Sequence, residues 1–251
     1  QAKDFAVFEQ KGGTVTVAGN VDVAGMQFTN TQGNKTGELY QLTPQDTQSS
    51  ITLYGTAADK NSTAFDVSSD ANNDAQTTGM LTNESNLVSV IRVGSGSNLS
   101  GTGLSTDDVA VISTNIKESA DGATTLVKTD TGTLVLTGNN TYSGGTVIAG
   151  GVLEVTSDAN LGKAGTNIAI DGGTLKIGAD NMTTPNRQII AGKHNATIDL
   201  DGHQYTPGAG IIGPGDVTIQ SSENNNRLTY SNQSIIPADG TASKLTLNYN
   251  D

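Results

Sequence analysis

Three residues in the first third of the chain are spaced like the start of a calcium-binding loop. Asp70, Asn72 and Asp74 place side-chain oxygen atoms at alternate positions, as the first ligands of an EF-hand do. The pattern then fails, because that loop requires glycine where Ala75 stands and a bidentate carboxylate where Leu81 stands. The sequence therefore favours a solvated acidic loop and leaves these three residues as a weak calcium candidate.

Other residue types that bind metals are few. The two histidines, His194 and His203, lie in turn-like segments and fit no short zinc spacing, and the chain has no cysteine. The acidic pair Asp107-Asp108, like Asp199 with Asp201, is also interpreted as solvated surface. We therefore predict no cofactor, and no metal beyond the weak calcium candidate.

Residue patterns for catalysis are also weak. Residues 208–213 match the dinucleotide-binding pattern GxGxxG, but prolines flank them and no helix follows, so they are interpreted as turn and close-packing glycines. The GxSxG pattern of hydrolase nucleophiles is absent. A polysaccharide-degrading site needs carboxylates beside basic residues, and the densest basic group is only Lys176, Arg187 and Lys193. We predict no catalytic residues and no enzyme activity.

Composition excludes further classes of protein. The 251 residues include 25 acidic and 13 basic side chains, with a net charge of -12, so nucleic-acid binding is not expected. Without cysteine the chain has no disulfide bonds. Only 34% of residues are hydrophobic and 4% are aromatic, which favours a thin repeated core over a thick globular one. The 31 glycines supply many turns.

Short apolar alternations recur along the chain at intervals of 19 to 23 residues. The leading pairs are Leu134/Leu136, Leu153/Val155, Leu175/Ile177, Ile198/Leu200 and Val217/Ile219. A second set runs out of phase with the first: Ile148, Ile170, Ile190 and Ile212. Alternation predicts β-strands, and two apolar columns with one period predict a solenoid. In this interpretation Leu153 stacks between Leu134 and Leu175 in the core, and Glu154 faces outward.

Residues 126–177 carry a family resemblance. The run Thr133-Leu134-Val135-Leu136-Thr137-Gly138-Asn139-Asn140-Thr141-Tyr142-Ser143-Gly144-Gly145-Thr146, followed by Gly151-Val152-Leu153, closely resembles the passenger-associated repeat of bacterial autotransporters. Residues 12–17 and 23–28 also look like passenger sequence. The resemblance implies an exported, all-β, right-handed parallel β-helix with loop excursions, in the manner of the antigen 43 and AIDA adhesins.

The resemblance also implies a function at the bacterial cell surface. There the chain would act as a non-catalytic adhesin or as a self-association module in aggregation and biofilm. The implied partners are a host matrix or cell-surface protein or glycan, or a copy on another cell. Contact with the membrane would come only through a C-terminal barrel outside this chain. No ligand-binding residue follows from the resemblance. Two alternatives stay open: a passive β-helical stalk and, less favoured, a polysaccharide-degrading β-helix enzyme.

The expected organisation is a single β-helix over residues 1–251, as a fragment of a larger passenger. Residues 125–177 form the passenger-associated repeat. Residues 56–86 have few large apolar side chains and are predicted to form a loop excursion. With about 22 residues per rung and ~4.8 Å between strands, we expect about eleven rungs and a rod about 50 Å long.

Overall fold

The structure is a computed structural model that describes residues 4–9, 12–29, 39–57, 87–94, 108–221, 227–228 and 245–249. Regular structure in these ranges is almost entirely β-strand, with a 3-10 helix at Asp158–Leu161. Short alternating runs that end in glycine, Asn or Asp turns are long enough for strands and too short for ordinary α-helices. The strands are β1 (Phe5–Glu9), β2 (Gly13–Val17), β3 (Asn20–Val23), β4 (Gly25–Thr29), β5 (Leu39–Pro44), β6 (Ser50–Leu53), β7 (Thr56–Ala57), β8 (Leu87–Val93), β9 (Val109–Ile112), β10 (Asn115–Glu118), β11 (Thr124–Thr129), β12 (Thr133–Leu136), β13 (Thr146–Ile148), β14 (Val152–Val155), β15 (Ile168–Ile170), β16 (Thr174–Ile177), β17 (Met182–Thr184), β18 (Ile189–Ala191), β19 (Ala196–Asp199), β20 (Gln204–Pro207), β21 (Ile211–Ile212), β22 (Val217–Ser221), β23 (Arg227–Leu228) and β24 (Leu245–Tyr249).

These strands form four sheets whose order shows a parallel β-helix. Sheet A runs β1-β4-β8-β11-β13-β15-β18-β21, and sheet B runs β2-β5-β9-β12-β14-β16-β19-β22-β24. The third side carries two three-stranded sheets, sheet C (β3-β6-β10) and sheet D (β17-β20-β23). Neighbours within a sheet come from successive turns of the chain and pair in parallel, apart from the short strand β7, which is antiparallel to β8. The predicted all-β, parallel β-helical fold is confirmed.

Equivalent residues of successive rungs stack in register along sheet B. Leu153 pairs with Leu134 on one side and with Leu175 on the other, and all three side chains are fully buried. The predicted column is therefore confirmed, as is the outward orientation of Glu154, which is only half-buried. Each fully buried leucine stabilises the fold by roughly 1.5–3 kcal/mol relative to an exposed one. Stability accumulates along the column because each rung covers the next.

One step of that predicted column is wrong. Ile198 pairs with Ile219, and Val217 pairs with Ala196, so the last interval is 21 residues and not 19. A shift of two positions leaves every side chain on the same face of its strand. Apolar alternation alone therefore does not distinguish the two registers.

The second predicted column is confirmed for Ile148 and Ile170 and is wrong beyond them. Ile148 pairs with Ile170, and Ile170 pairs with Ala191 in the core, whereas Ile190 and Ile212 lie on the opposite face of sheet A. There they belong to a second apolar cluster, whose buried members are Val90, Val127, Val147, Ala169 and Ile190. The residue before Ile190 is also isoleucine, so the sequence does not show which of the two faces the core. A change of one position reverses the faces of a strand.

Sheet B contains nine strands in the described ranges, against the eleven rungs expected. The difference arises because the rungs nearest the N-terminus consume more residues than the repeat does. Leu42 pairs with Ile112, which lies 70 positions further along the chain. At ~4.8 Å per strand the described stack is about 40 Å long.

The predicted excursion at residues 56–86 lies mostly outside the described residues. Its first two residues form β7, which pairs with the start of β8. Residues 58–86 are not described, and the calcium candidates Asp70, Asn72 and Asp74 are among them, so both the excursion and the site stay predictions. Within the described ranges, no helix has the length and apolar character needed to cross a membrane.

Candidate interaction surface

Sheet B presents a continuous outer surface, the outer B face, formed by alternate side chains of β9 to β22. These side chains point away from the core and are half-buried. Backbone pairing arranges them in two rows with ~4.8 Å between neighbours. One row is Val109, Thr133, Val152, Thr174, Thr197 and Thr218, and the other is Val111, Val135, Glu154, Lys176, Asp199 and Gln220. The surface changes from apolar at β9 to hydroxyl-bearing and charged beyond β14.

Apart from Thr133, the side chains of the N-terminal part of the outer B face are apolar. Val109 and Val111 on β9, Val135 on β12 and Val152 on β14 lie on neighbouring strands and remain partly in water. Covering adjacent, partly exposed apolar side chains with a partner lowers the free energy of the complex. Such patches therefore mark interaction sites. Neither β9 nor β12 carries a charged side chain that would interrupt the patch.

The C-terminal part of the outer B face is charged and hydrogen-bonded across rungs. Lys176 Nζ lies 3.4 Å from Glu154 Oε2 and 2.9 Å from Asp201 Oδ2, and Gln220 Nε2 donates to Asp199 Oδ2 at 3.1 Å. Burial opposes the charged form of Lys176, but the hydrogen bond that Lys176 donates to Asp201 and the negative charge of Glu154 outweigh it and raise the pKa of the ammonium. Half-exposed ion pairs of this kind contribute only about 0.2–1 kcal/mol each, so these groups remain available to a partner.

Asparagine side chains replace a strand on the third side of the repeat. Between sheets C and D the described chain forms turns there, and Asn140 Oδ1 accepts from the N–H of Ile116 at 2.8 Å, as a paired strand would. Asn140 Nδ2 donates to the carbonyl of Asn160 at 2.6 Å, and Asn160 Nδ2 donates to the carbonyl of Gly138 at 2.9 Å. Both amides are buried. Asn140 and Asn160 therefore satisfy backbone groups of neighbouring turns that a paired strand would otherwise satisfy.

A buried arginine closes the same side of the repeat from the following rung. Arg187 is fully buried, and its Nε and Nη2 donate to the two carboxylate oxygens of Asp158 at 2.5 and 3.2 Å. Nη1 donates to the carbonyl of Leu161 and to both oxygens of Thr166 at 2.8 to 3.1 Å. Nη2 also donates to the carbonyls of Asp158 and Gly162 at 3.1 and 2.9 Å. Every guanidinium nitrogen therefore has a partner in residues 158–166.

A buried lysine occupies a core position in sheet A. Lys128 Nζ donates to the carbonyls of Thr129, Asp130 and Gly150 at 2.7, 2.9 and 3.1 Å. Burial lowers the pKa of Lys128 to about 7, against the opposing effect of the nearby Asp130 carboxylate. Gly151 adopts a φ of +60°, and a Cβ at that position would lie 2.8 Å from Lys128 Nζ. Lys128 therefore stabilises the adjoining turns through their carbonyl groups, and its side chain is not exposed at the surface.

The two histidines each pair with an aspartate of the preceding rung. His194 Nδ1 lies 3.0 Å from Asp171 Oδ2, and His203 Nδ1 lies 3.0 Å from Asp180 Oδ1. Both lie in the turn-like segments that the sequence suggests. Among the described residues, no group of three or more His, Cys, Asp or Glu side chains is placed to hold a metal ion.

The three basic residues considered for a polysaccharide-degrading site do not lie together in one groove. Arg187 is buried against residues 158–166, Lys176 lies on the outer B face, and Lys193 lies in a turn. The glycine pattern at residues 208–213 contains β21, and a Cβ at Gly208 or Gly213 would clash with the backbone of Pro185 or Ala191, as expected of close-packing glycines. The expectation of a solvated surface was wrong for Asp108, which is fully buried.

Sequence reasoning did not find the roles of Arg187, Lys128 and Asn160. A charged residue inside a run of apolar positions was the available signal for Lys128, which stands in β11 at a core position. Arg187 lies in a turn between β17 and β18, where a basic residue is ordinarily exposed. Its burial depends on how the preceding rung folds, and no local pattern indicates it.

Comparison with known proteins gives two matches. The family model of the passenger-associated transport repeat matches residues 126–155. The adhesin BmaC autotransporter of Brucella suis biovar 1 (strain 1330) is 35% identical over 199 residues, which is 78% of this chain. The aligned segment covers only 4% of that protein, so the chain spans a small part of the relative's length. No solved structure matches the chain significantly.

A parallel β-helix with polar turns at a transport repeat is the architecture expected of an exported passenger. Both matches agree with this β-helical architecture. The chain therefore belongs to the family of autotransporter passenger domains. It is accordingly exported through the outer membrane and exposed at the bacterial surface.

Proposed function

We propose that this segment is part of a non-catalytic adhesin and that it binds through the outer B face. Its partner is a host matrix or cell-surface protein or glycan, or a copy of the chain on another bacterial cell. The observation that carries the proposal is the continuous outer B face, on which half-exposed valines adjoin threonine and charged rows. The similar Brucella protein is named an adhesin, which supports the same class of function.

Many weak contacts suit this surface better than one deep site. Threonine hydroxyls at ~4.8 Å intervals offer repeated hydrogen bonds, and the valines offer area to cover. Contacts of this kind are weak singly, so affinity accumulates along the rod and over many copies on one cell. The acidic excess of the chain, 25 against 13 basic residues, adds attraction to a basic partner.

The proposal is tested by attachment of the purified chain to matrix proteins, glycans and itself, with Val135→Asp as the variant. A charge in the apolar part of the outer B face should weaken attachment about tenfold or more, which corresponds to ~1.4 kcal/mol. The matched control is Thr183→Asp, which places the same charge at an exposed position on sheet D. Thermal melts check that both variants stay folded.

A salt series separates the two kinds of partner. Attraction to a basic host protein should fade at high salt, because the screening length falls to roughly 3 Å at 1 M. Self-association between like-charged rods should persist or strengthen. Equal loss in both variants would exclude the outer B face, no binding at all would favour the stalk, and turnover of an acidic polysaccharide would show an enzyme instead.

A further inference from the structure

The loop that follows β14, residues 157–167, is held from two sides. From the preceding rung, Asn140 contacts the carbonyl of Asn160, and its own N–H donates to the carbonyl of Ala159 at 2.8 Å. From the following rung, the five N–H groups of Arg187 make seven hydrogen-bond contacts with residues 158–166. The loop therefore depends on both neighbours for its conformation.

Because of Arg187, opening the loop first and opening the rung first have different free-energy costs. If the loop opens while the rung of Arg187 stays closed, the guanidinium loses Asp158, the Thr166 hydroxyl and four carbonyl partners while it still lies near the buried side chains of Tyr142 and Tyr205. An uncompensated buried charge is among the most destabilising changes in a protein. If instead the rung of Arg187 opens first, the loop carbonyls and Asp158 reach water and remain solvated. The first path is thus strongly disfavoured relative to the second.

We propose that Arg187 is a latch that joins loop 157–167 and the rung containing β17 and β18 into one opening unit. The loop does not open unless that rung opens with it. In a solenoid each repeat contacts only its neighbours, and loops with few buried contacts open at low free energy. Here an ionic contact removes that weak point.

The latch has a consequence at the surface. The tip of the loop, Lys163-Ala164-Gly165, is exposed and is the kind of segment that proteases cut first. Cleavage requires the backbone of the tip to open. Because the loop opens only together with the rung of Arg187, the tip should be as resistant to cleavage as that rung. A passenger exposed outside the cell gains resistance to proteolysis from one buried side chain.

Native-state hydrogen exchange of the 251-residue chain tests the latch with two amides. The N–H of Lys163 donates to the carbonyl of Tyr142 and reports on the loop, and the N–H of Gly192 donates to the carbonyl of Ile170 and reports on the rung. In the wild-type chain the two protection factors should agree within a few-fold. In Arg187→Met the loop amide should exchange at least about tenfold faster than the rung amide. The control Lys176→Met removes an outward cation between the same rungs and should leave both amides unchanged.

A charge-pair series covers the case in which Arg187→Met destabilises the whole chain. Asp158→Asn leaves the arginine buried without its counter-charge, so protection at Gly192 should fall. Adding Arg187→Met to Asp158→Asn removes the stranded charge and should restore that protection at least in part. The proposal is overturned if loop and rung already exchange independently in the wild type, or if the double variant is no better protected than Asp158→Asn.

Discussion

The inner columns of sheet B and the third side at the repeat hold the same rungs together in different ways. In the columns each apolar side chain touches equivalent residues above and below, as Leu153 does. On the third side, Asn140, Asn160 and Arg187 each satisfy named partners in a neighbouring rung. Apolar columns need only the right size of side chain, whereas a buried polar contact fails when either partner changes. The apolar columns should therefore tolerate substitution by similar side chains, whereas the polar contacts of the third side should not.

The largest expected effect is in the apolar column. Leu153→Asp places an unpaired carboxylate between Leu134 and Leu175, and we expect a loss of about 4 kcal/mol or local unfolding of the rung. Thermal or urea unfolding measures this loss. Melting like that of the wild type would contradict the column assignment.

A smaller loss is expected on the polar side. Asn160→Ala removes the donor to the carbonyl of Gly138 and the acceptor for two N–H groups of its own turn, so we expect a loss of about 2–3 kcal/mol. Asn139→Ala, at the exposed neighbour of Asn140, is the control and should change stability by less than about 0.5 kcal/mol. If both variants unfold at the same urea concentration, the amide contacts do not stabilise the repeat.

The buried tyrosine of the repeat predicts a pH dependence. Burial raises the pKa of Tyr142 to about 12, even though its hydroxyl pairs with Thr146 Oγ1 at 2.8 Å. In the unfolded chain the phenol has a pKa of about 10, so folding stability should fall as the pH rises from about 10 towards 12. Tyr142→Phe should cost about 1 kcal/mol at neutral pH and should show a shallower fall above pH 10. An unchanged slope in melts at pH 9 to 11 would contradict this assignment.

The smallest effect is expected on the outer B face. Glu154→Ala removes one half-exposed partner of Lys176, and the free energy of unfolding should change by less than about half a kcal/mol. The measurement is the same unfolding experiment used for Leu153→Asp. A loss comparable to that of its neighbour would mean that the two faces of β14 have been exchanged.

Much of the fold could be predicted because its signal is repeated. Alternation in β12, β14 and β16 fixes which residues face the core, and glycine and asparagine turns fix where each strand ends. Register was harder, because Ile198 could pair with Val217 or Ile219 without changing faces. Rung number was harder still, since the long intervals near the N-terminus follow no period.

The interaction surface was predictable only in kind. A row of threonine and charged residues on the outward positions follows from the same alternation, as for Thr174 and Lys176. The burial of Arg187 and the pairing of His194 with Asp171 depend on contacts between rungs. Such contacts join residues 23 to 29 positions apart, and the sequence shows no preference for one polar partner over another.

Disulfide formation tests the stacked register most directly, because the chain has no cysteine of its own. Asp199 and Gln220 are paired neighbours on the outer B face, whereas Thr218 is the diagonal neighbour of Asp199. Paired strands bring Cα atoms to ~4.8 Å, within the range of a disulfide, and diagonal positions lie beyond it at ~7 Å or more. Oxidation of Asp199→Cys/Gln220→Cys should therefore give a nearly complete intramolecular crosslink, and Asp199→Cys/Thr218→Cys should give little. The reverse result would contradict the register on which the β-helix, the outer B face and the repeat all depend.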